Sequence, residues 1–508
     1  MNKFLVFCFV EFVLCNASYS QQIVHGTVAP NIVYILADDL GYGDIHALNP
    51  LRCKIPTPQI DHLASQGMVF TDAHSGSSVC TPTRYGLLTG RYAWRTRLQR
   101  GVLDGTDDPP LISAGRLTVA SFLKTQGYST AAIGKWHLGF DCQRPTGETR
   151  AIAPDDKKAK PGKTGEAGLP VNSIILEGPL SRGFDYFWGC SNARTMSGLI
   201  ENDRVVERIQ PIAMLPRLGQ RAVNYISEHA SDSQAGKPFF LYLPLTSPHT
   251  PILPTPEWTG KSGLGDYGDF VMQTDAVVGD VLAAIDRAGI SDNTLVIFTA
   301  DNGCSPAAKT QDLEGQGHFA SAQFRGYKAD IWEGGHRVPF IVRWPTKVRS
   351  GTRSDQLVCH VDFLATCAEI LGVKLPETVA EDSVSILPAL LGTDSIPIRE
   401  AVVHHSIDGK FAIRQGKWKL SLCSGSGGWG KPKDAEASQQ GMQDTQLYDL
   451  NADPSESKNL QSENPDVVAR LTSLLEQYVS QGRSTPGKGL SNDVAVRFET
   501  APKVQSVK

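Results

Sequence analysis

Five places along the chain carry side chains suited to an anionic, oxygen-rich reactant. Asp38-Asp39 and Asp301-Asn302 offer only carboxylate and amide oxygens. That is the donor set of a hard cation, and Ca2+ takes roughly 6–8 such oxygens, with Mg2+ the alternative. Lys135-Trp136-His137 sets a cation two residues before an imidazole, and Thr246-Ser247-Pro248-His249 supplies a second imidazole. In Ser78-Val79-Cys80-Thr81-Pro82-Thr83-Arg84 a thiol stands near a predicted helix start. Pro82 suits the first turn and Gly90 the stop, so Cys80 faces backbone N–H groups that favour an anion. Singly, each feature has a plainer reading. Asp-Asp after a strand commonly makes a turn or cap, a cysteine near a helix start is usually an ordinary thiol, and Lys and Arg usually lie in solvent.

The elements that position these groups raise their combined weight. Asn31 to Ala37, Tyr128 to Gly134, Phe239 to Leu245 and Thr294 to Ala300 are nearly uninterrupted apolar runs. Such runs are expected of strands covered by helices on both faces. Asp61 to Gly67, Thr118 to Gly127 and Phe270 to Gly289 read as helices, the first two closed by glycine and the second opened by a threonine cap. Helix and strand in alternation predict an α/β fold with a mostly parallel central sheet flanked by helices. Each apolar run ends in one of the polar clusters, where open parallel sheets hold their ligands.

Cys80-x-Pro82-x-Arg84 followed by Leu88-Thr89-Gly90, and Gly127 to His137 (GYSTAAIGKWH), resemble the two signatures of the type I sulfatases. Asp38-Asp39, Ser247 to His249, Asp301-Asn302-Gly303, Lys328, Glu333 to Pro339 (EGGHRVP) and Leu447 to Leu450 (LYDL) fall in that family's order, from about residue 28 to 480. The resemblance implies an alkaline-phosphatase-like sheet and a smaller C-terminal antiparallel domain. It further implies oxidation of Cys80 to formylglycine by a formylglycine-generating enzyme. Asp38, Asp39, Asp301 and Asn302, joined by residue 80 itself, would hold the metal, and Arg84, Lys135 and Lys328 would surround the sulfate. In the family mechanism one hydroxyl of the hydrated aldehyde attacks sulfur while His249 protonates the departing alcohol. His137 then assists the second hydroxyl in expelling sulfate.

The substrate class implied is a sulfated carbohydrate. Tyr92 to Arg97 and Pro109 to Ile112 look similar to bacterial carbohydrate sulfatases, which suggests galactose or N-acetylgalactosamine 6-sulfate. Trp94, Arg95, Arg97 and Arg100 are candidates for a sugar-binding rim, and His318, Arg325 and His336 for the pocket lining. Two rival readings are a phosphomonoester or phosphonate hydrolase of the same superfamily and a non-catalytic carbohydrate-binding relative with Cys80 left as a thiol.

A net charge of -4, with no basic run, gives no footing for a nucleic-acid partner. Lys3 followed by the apolar run Phe4 to Cys15 and the small residues Asn16 to Ser20 predicts a signal peptide over 1–20, hence a secreted or periplasmic protein. No stretch is long enough for stable membrane insertion. Setting aside Cys8, Cys15 and Cys80, seven of the ten cysteines remain. An odd number leaves at least one unpaired, so disulfides are supplementary here. The expected division is a catalytic α/β domain over 28–395, a small α+β domain over 396–480 that closes with a helix capped by Asn464, and a tail over 481–508, in part without fixed structure.

Overall fold

Asn31–Asp38 is buried at every position because neighbours cover both its faces. It runs parallel to Phe239–Pro248 on one side and to Thr294–Ala300 on the other. Ser129–Lys135 adds beside Phe239–Pro248, and Tyr186–Cys190 beside that, again in parallel. The four apolar runs are thus four of the five parallel strands at the middle of a 12-stranded sheet, whose flanks are largely antiparallel. The computed structural model describes residues 29–103, 108–145 and 168–497.

Side chains alternate across the sheet with period two. Val33, Ile35 and Ala37 enter one core with helices Met214–Gln234 and Gly265–Arg287, while Ile32, Tyr34 and Leu36 enter another with Cys80–Thr89, Val119–Thr125 and Phe363–Ile370. Register therefore matters chemically. A slip of one residue would carry Asp38 about 3.3 Å along the strand, enough to break its 2.6 Å contact with Lys135. Local signals fix the helices: Thr118 Oγ1 accepts from Ser121 N (3.0 Å), and Gly90 ends Cys80–Thr89 in the left-handed conformation (φ 64°) that glycine adopts without a Cβ penalty.

A second sheet, four-stranded and antiparallel, comprises Val402–His405, Phe411–Gln415, Trp418–Ser421 and Gln446–Asp449. Helix Pro465–Ser480 covers it with Leu471, Leu475 and Tyr478. Tyr92 and Trp94, from the segment after helix Cys80–Thr89, join the same apolar cluster.

Three details depart from expectation. Asn464 does not cap the last helix through its side chain, which donates instead to the Leu460 carbonyl (3.1 Å). The polar stretch after Ser424 contains a short helix, Asp434–Gln439. Over 481–497 the tail folds back on the protein, where both oxygens of Asp493 lie 3.0 Å from the buried Arg91 guanidinium, which Glu381 also pairs at 2.7 Å. The predicted signal peptide and residues 498–508 lie outside the described residues. Among the described residues no disulfide forms, and no helix is long and apolar enough to cross a membrane.

Candidate active site

The backbone turns sharply where the strands deliver their polar residues. Asp39 and His137 adopt the left-handed conformation (φ 66° and 55°), which Asp and His tolerate better than most residues. It still costs roughly 1–2 kcal/mol each. The turn at Asp39 lets its N–H donate to Asp301 Oδ1 (3.2 Å). At His137 it carries ring Nε2 to the Leu103 carbonyl (2.7 Å).

Three carboxylates and three cations interlock in this buried space. Lys135 Nζ donates to Asp38 Oδ2 (2.6 Å), and Lys328 Nζ lies 2.6 Å from Asp39 Oδ1. Arg84 donates to Asp301 Oδ2 from Nε (3.1 Å) and Nη2 (2.7 Å), and to the Lys135 carbonyl from Nη1 (3.0 Å). The set is formally neutral, which is what allows it to be buried. Burial by itself pushes the Asp38 and Asp39 carboxyls toward protonation. Lys135, His249 and Arg84 around the first, and Lys328 and His249 around the second, outweigh it and hold both below the ordinary value.

Cys80 opens the helix Cys80–Thr89, with Sγ 3.6 Å from Asp38 Oδ1 and 3.5 Å from Lys328 Nζ. Burial, reinforced by Asp301, pushes the thiol up to about 12. Unmodified, it stays protonated and is a weak nucleophile. Two imidazoles flank it. A carbonyl can only accept, so His137 carries its proton on Nε2, and Nδ1 is left buried with no partner among the described residues. Burial, then Lys135 and Arg84, hold its pKa well below 6.5. His249 donates from Nδ1 to the Thr250 carbonyl (2.5 Å), which leaves Nε2 3.7 Å from Asp39 Oδ2. Cys80, Lys135, His137, His249 and Lys328 line one cavity of about 210 Å³.

The same residues suit a hard cation. Asn302 Nδ2 donates to Asp39 Oδ1 (2.8 Å) and to the Gly303 carbonyl (3.0 Å), whereas its Oδ1 is buried without a partner among the described residues. Leaving a buried acceptor unmatched costs about 1–3 kcal/mol. Beside Asp38, Asp39 and Asp301 this orphan completes an all-oxygen set of the kind Ca2+ or Mg2+ takes. Ligand atoms of Asp38, Asp39, Cys80 and His249 all lie within 4.8 Å of one another.

Residues 30–373 match the family described as Sulfatase, and residues 327–422 match N-sulphoglucosamine sulphohydrolase, C-terminal. The chain belongs to the sulfatase family. This sulfatase is 33% identical over 504 residues to the N-acetylgalactosamine-6-O-sulfatase of Bacteroides thetaiotaomicron, covering 91% of this chain and 95% of the relative. It is 33% identical over 486 residues to arylsulfatase A of Homo sapiens, covering 91% of each. A solved structure from work on the metabolism of multiple glycosaminoglycans by Bacteroides thetaiotaomicron aligns with a TM-score of 0.75 and 32% identity, covering 89% of this chain and 99% of that one. The protein is a sulfuric ester hydrolase.

The structure brings Asp38, Asp39, Cys80, Arg84, Lys135, His137, His249, Asp301, Asn302 and Lys328 together in one buried cluster and its adjoining cavity. The rim candidates do not reach it. Trp94 is fully buried and stacks on Tyr92, and Arg95 is sealed against Asp382 (2.7 Å). Arg97 bonds the carbonyls of Pro109 and Pro110, and Arg100 is exposed and is not itself in the cavity lining, although Gly101 beside it is. His318 is locked to Asp44 (2.8 Å), Arg325 lies over Trp332, and His336 stacks on His404. In place of these, the lining includes Leu103, Asn192, Arg194, Ile407 and Trp429. Of them only Trp429 leaves a trace in the sequence, as the one aromatic residue in the Gly- and Ser-rich stretch from 424 to 440.

Proposed function

We propose that this sulfatase removes sulfate from a sulfated carbohydrate, with residue 80 as formylglycine and a Ca2+ or Mg2+ ion held by Asp38, Asp39, Asp301 and Asn302. The observation that carries the reading is the seat of Cys80, between the Lys328 ammonium and the Asp38 carboxylate on the wall of a cavity shared with two histidines. The thiol held there is protonated, so the position gains a nucleophile only through its conversion. Formylglycine would supply a hydroxyl toward sulfur and a second one to expel the product; the cation would draw charge from the sulfate oxygens.

The remaining residues bind charge and move protons. Lys135 and Lys328 face the position a sulfate would take, and Arg84 holds Asp301 and the end of the Lys135 strand in register. His249 Nε2 is the group that would protonate the leaving alcohol. Burial lowers its pKa to about 4, against the pull of Asp39, and the negative charge of a bound ester raises it, so proton and substrate enter together. His137 Nδ1, unprotonated and without a partner among the described residues, is the base for the second hydroxyl.

The identity with an N-acetylgalactosamine-6-O-sulfatase across 91% of this chain favours a 6-sulfated N-acetylgalactosamine. Maturation would require a formylglycine-generating enzyme, and the N-terminal 1–20 segment would direct export. Mass spectrometry of the peptide containing residue 80, together with sulfate release from N-acetylgalactosamine 6-sulfate, galactose 6-sulfate, nitrophenyl sulfate and nitrophenyl phosphate, tests the reading. An aldehyde at residue 80 and turnover of the sulfates over the phosphate are expected. A preference for phosphate would overturn it.

A further inference from the structure

The cavity reaches beyond the sulfate-sized space around Cys80, and two of its lining residues take no part in the chemistry derived above. Trp429 is the first. Residues 421–428 of its segment are all buried, yet Trp429 itself is 41% exposed. The segment is not loose. Ile331 N donates to the Ser426 carbonyl (2.8 Å), Gly430 N to Asp330 Oδ1 (2.7 Å) and Ser406 Oγ to the Gly427 carbonyl (2.5 Å). A Cβ on Gly428 would stand 2.2 Å from the Ala329 carbonyl, so the backbone approach requires glycine. The loop is therefore docked on the residues that follow Lys328, and the backbone that carries the indole is fixed relative to the reacting centre. An aromatic face left open on the wall of a cavity that also holds charged side chains is a platform for the flat, C–H-bearing side of a sugar ring.

Arg194 is the second. It lies just past Tyr186–Cys190, on the opposite flank of the parallel strands, in a turn that Asn192 fixes by accepting from Arg194 N (2.9 Å) and Thr195 N (3.1 Å). Its side chain is exposed and has no carboxylate partner among the described residues. The three inner cations are each matched by a carboxylate, so Arg194 is surplus positive charge in the cavity. A guanidinium of this kind takes a carboxylate or a sulfate in bidentate fashion.

We propose that Trp429 and Arg194 form the subsite for the leaving alcohol, a pyranose ring lying on the indole while a second anionic group meets the guanidinium, so that the substrate is an acidic saccharide rather than a neutral sugar monosulfate. The inference rests on the carbohydrate sulfatase reading above and names its substrate class. The test uses full-length, matured protein and three esters: N-acetylgalactosamine 6-sulfate, the same sugar joined to a uronic acid, and the same sugar with a second sulfate. Arg194→Ala should lower kcat/KM about 10- to 100-fold on at least one of the two acidic esters, the loss of a charged hydrogen bond. It should leave N-acetylgalactosamine 6-sulfate, which has no second anionic group, within about threefold. Which acidic ester suffers decides between carboxylate and sulfate. Trp429→Ala should raise KM about tenfold on all three with kcat little changed, and Trp429→Phe should restore most of the loss. Equal effects of Arg194→Ala on all three esters, or a normal KM in Trp429→Ala, overturn the subsite. Turnover of nitrophenyl sulfate but of no saccharide overturns the subsite and leaves the sulfatase assignment standing. Turnover of no sulfate ester overturns both.

Discussion

Replacing Lys328 by methionine separates what the buried charges do for the fold from what they do for the reaction. The ammonium sits 2.6 and 2.9 Å from the two oxygens of Asp39 and 3.5 Å from Cys80 Sγ. Methionine keeps most of the volume, so the change is one of charge. Asp39 is then buried with Asn302 Nδ2 and distant His249 as its remaining partners, and breaking a buried pair from one side costs about 3–5 kcal/mol. Thermal unfolding in chelator should show this as a fall of several degrees in Tm. The catalytic loss has a different origin. One preorganised donor near the developing charge is worth about 10²–10³ in kcat, so the variant should retain its fold and lose that factor in sulfate release. Cation binding should move the other way. An Asp39 charge no longer shared with lysine attracts a divalent ion more strongly, and saturating Ca2+ should raise Tm more in the variant than in the parent. A kcat within tenfold of the parent, or a smaller Ca2+-induced rise in Tm, would refute the placing of Lys328 at the reacting centre.

Three further outcomes follow from the same geometry. Removal of divalent ions by chelation should abolish turnover and lower Tm, and Ca2+ or Mg2+ should restore both, since Asp38, Asp39, Asp301 and the orphaned Asn302 Oδ1 are all oxygen donors; recovery with neither ion would exclude this donor set. Gly303→Ala would set a Cβ 1.9 Å from the Gly334 carbonyl, displacing Asn302. Activity should fall at least about tenfold, beyond the roughly 1–3 kcal/mol that overpacking costs the fold, with metal affinity reduced in calorimetry. Burial holds His74 and His405 at about 4; the unfolded chain binds their protons first, so stability falls as pH drops from 6.5 to 4. At no more than about 1.4 kcal/mol per proton per pH unit, and half that at pH 6.5 where the unfolded rings are half protonated, these two remove about 3 kcal/mol between pH 6.5 and 5, and denaturant midpoints that stay flat over that interval would show the rings are hydrated.

The reaction was legible in the sequence and the specificity was not, for one physical reason. Strands buried on both faces are apolar almost throughout, so the polar clusters that follow each run, which hold Asp38, Lys135, His249 and Asp301, announce the sheet edge where chemistry can occur. That signal is local. Their remaining partners are not local: the Leu103 carbonyl that sets the His137 tautomer is a backbone group and carries no side-chain signature. Arg95 looks like a surface cation until Asp382, 287 residues away in sequence, seals it inside, and by the same logic Trp94 beside it becomes core. Trp429 makes the reverse passage. Read alone it belongs to a polar Gly- and Ser-rich loop, and only the bond between Gly430 and Asp330, 100 residues earlier, turns that loop into a fixed wall of the cavity. Sulfate chemistry is written where strands end, whereas the choice of alcohol is written by loops that acquire their positions only through long-range contacts. Exchanging the 424–440 loop between sulfatases should therefore move substrate preference while leaving the charged cluster around Cys80 intact.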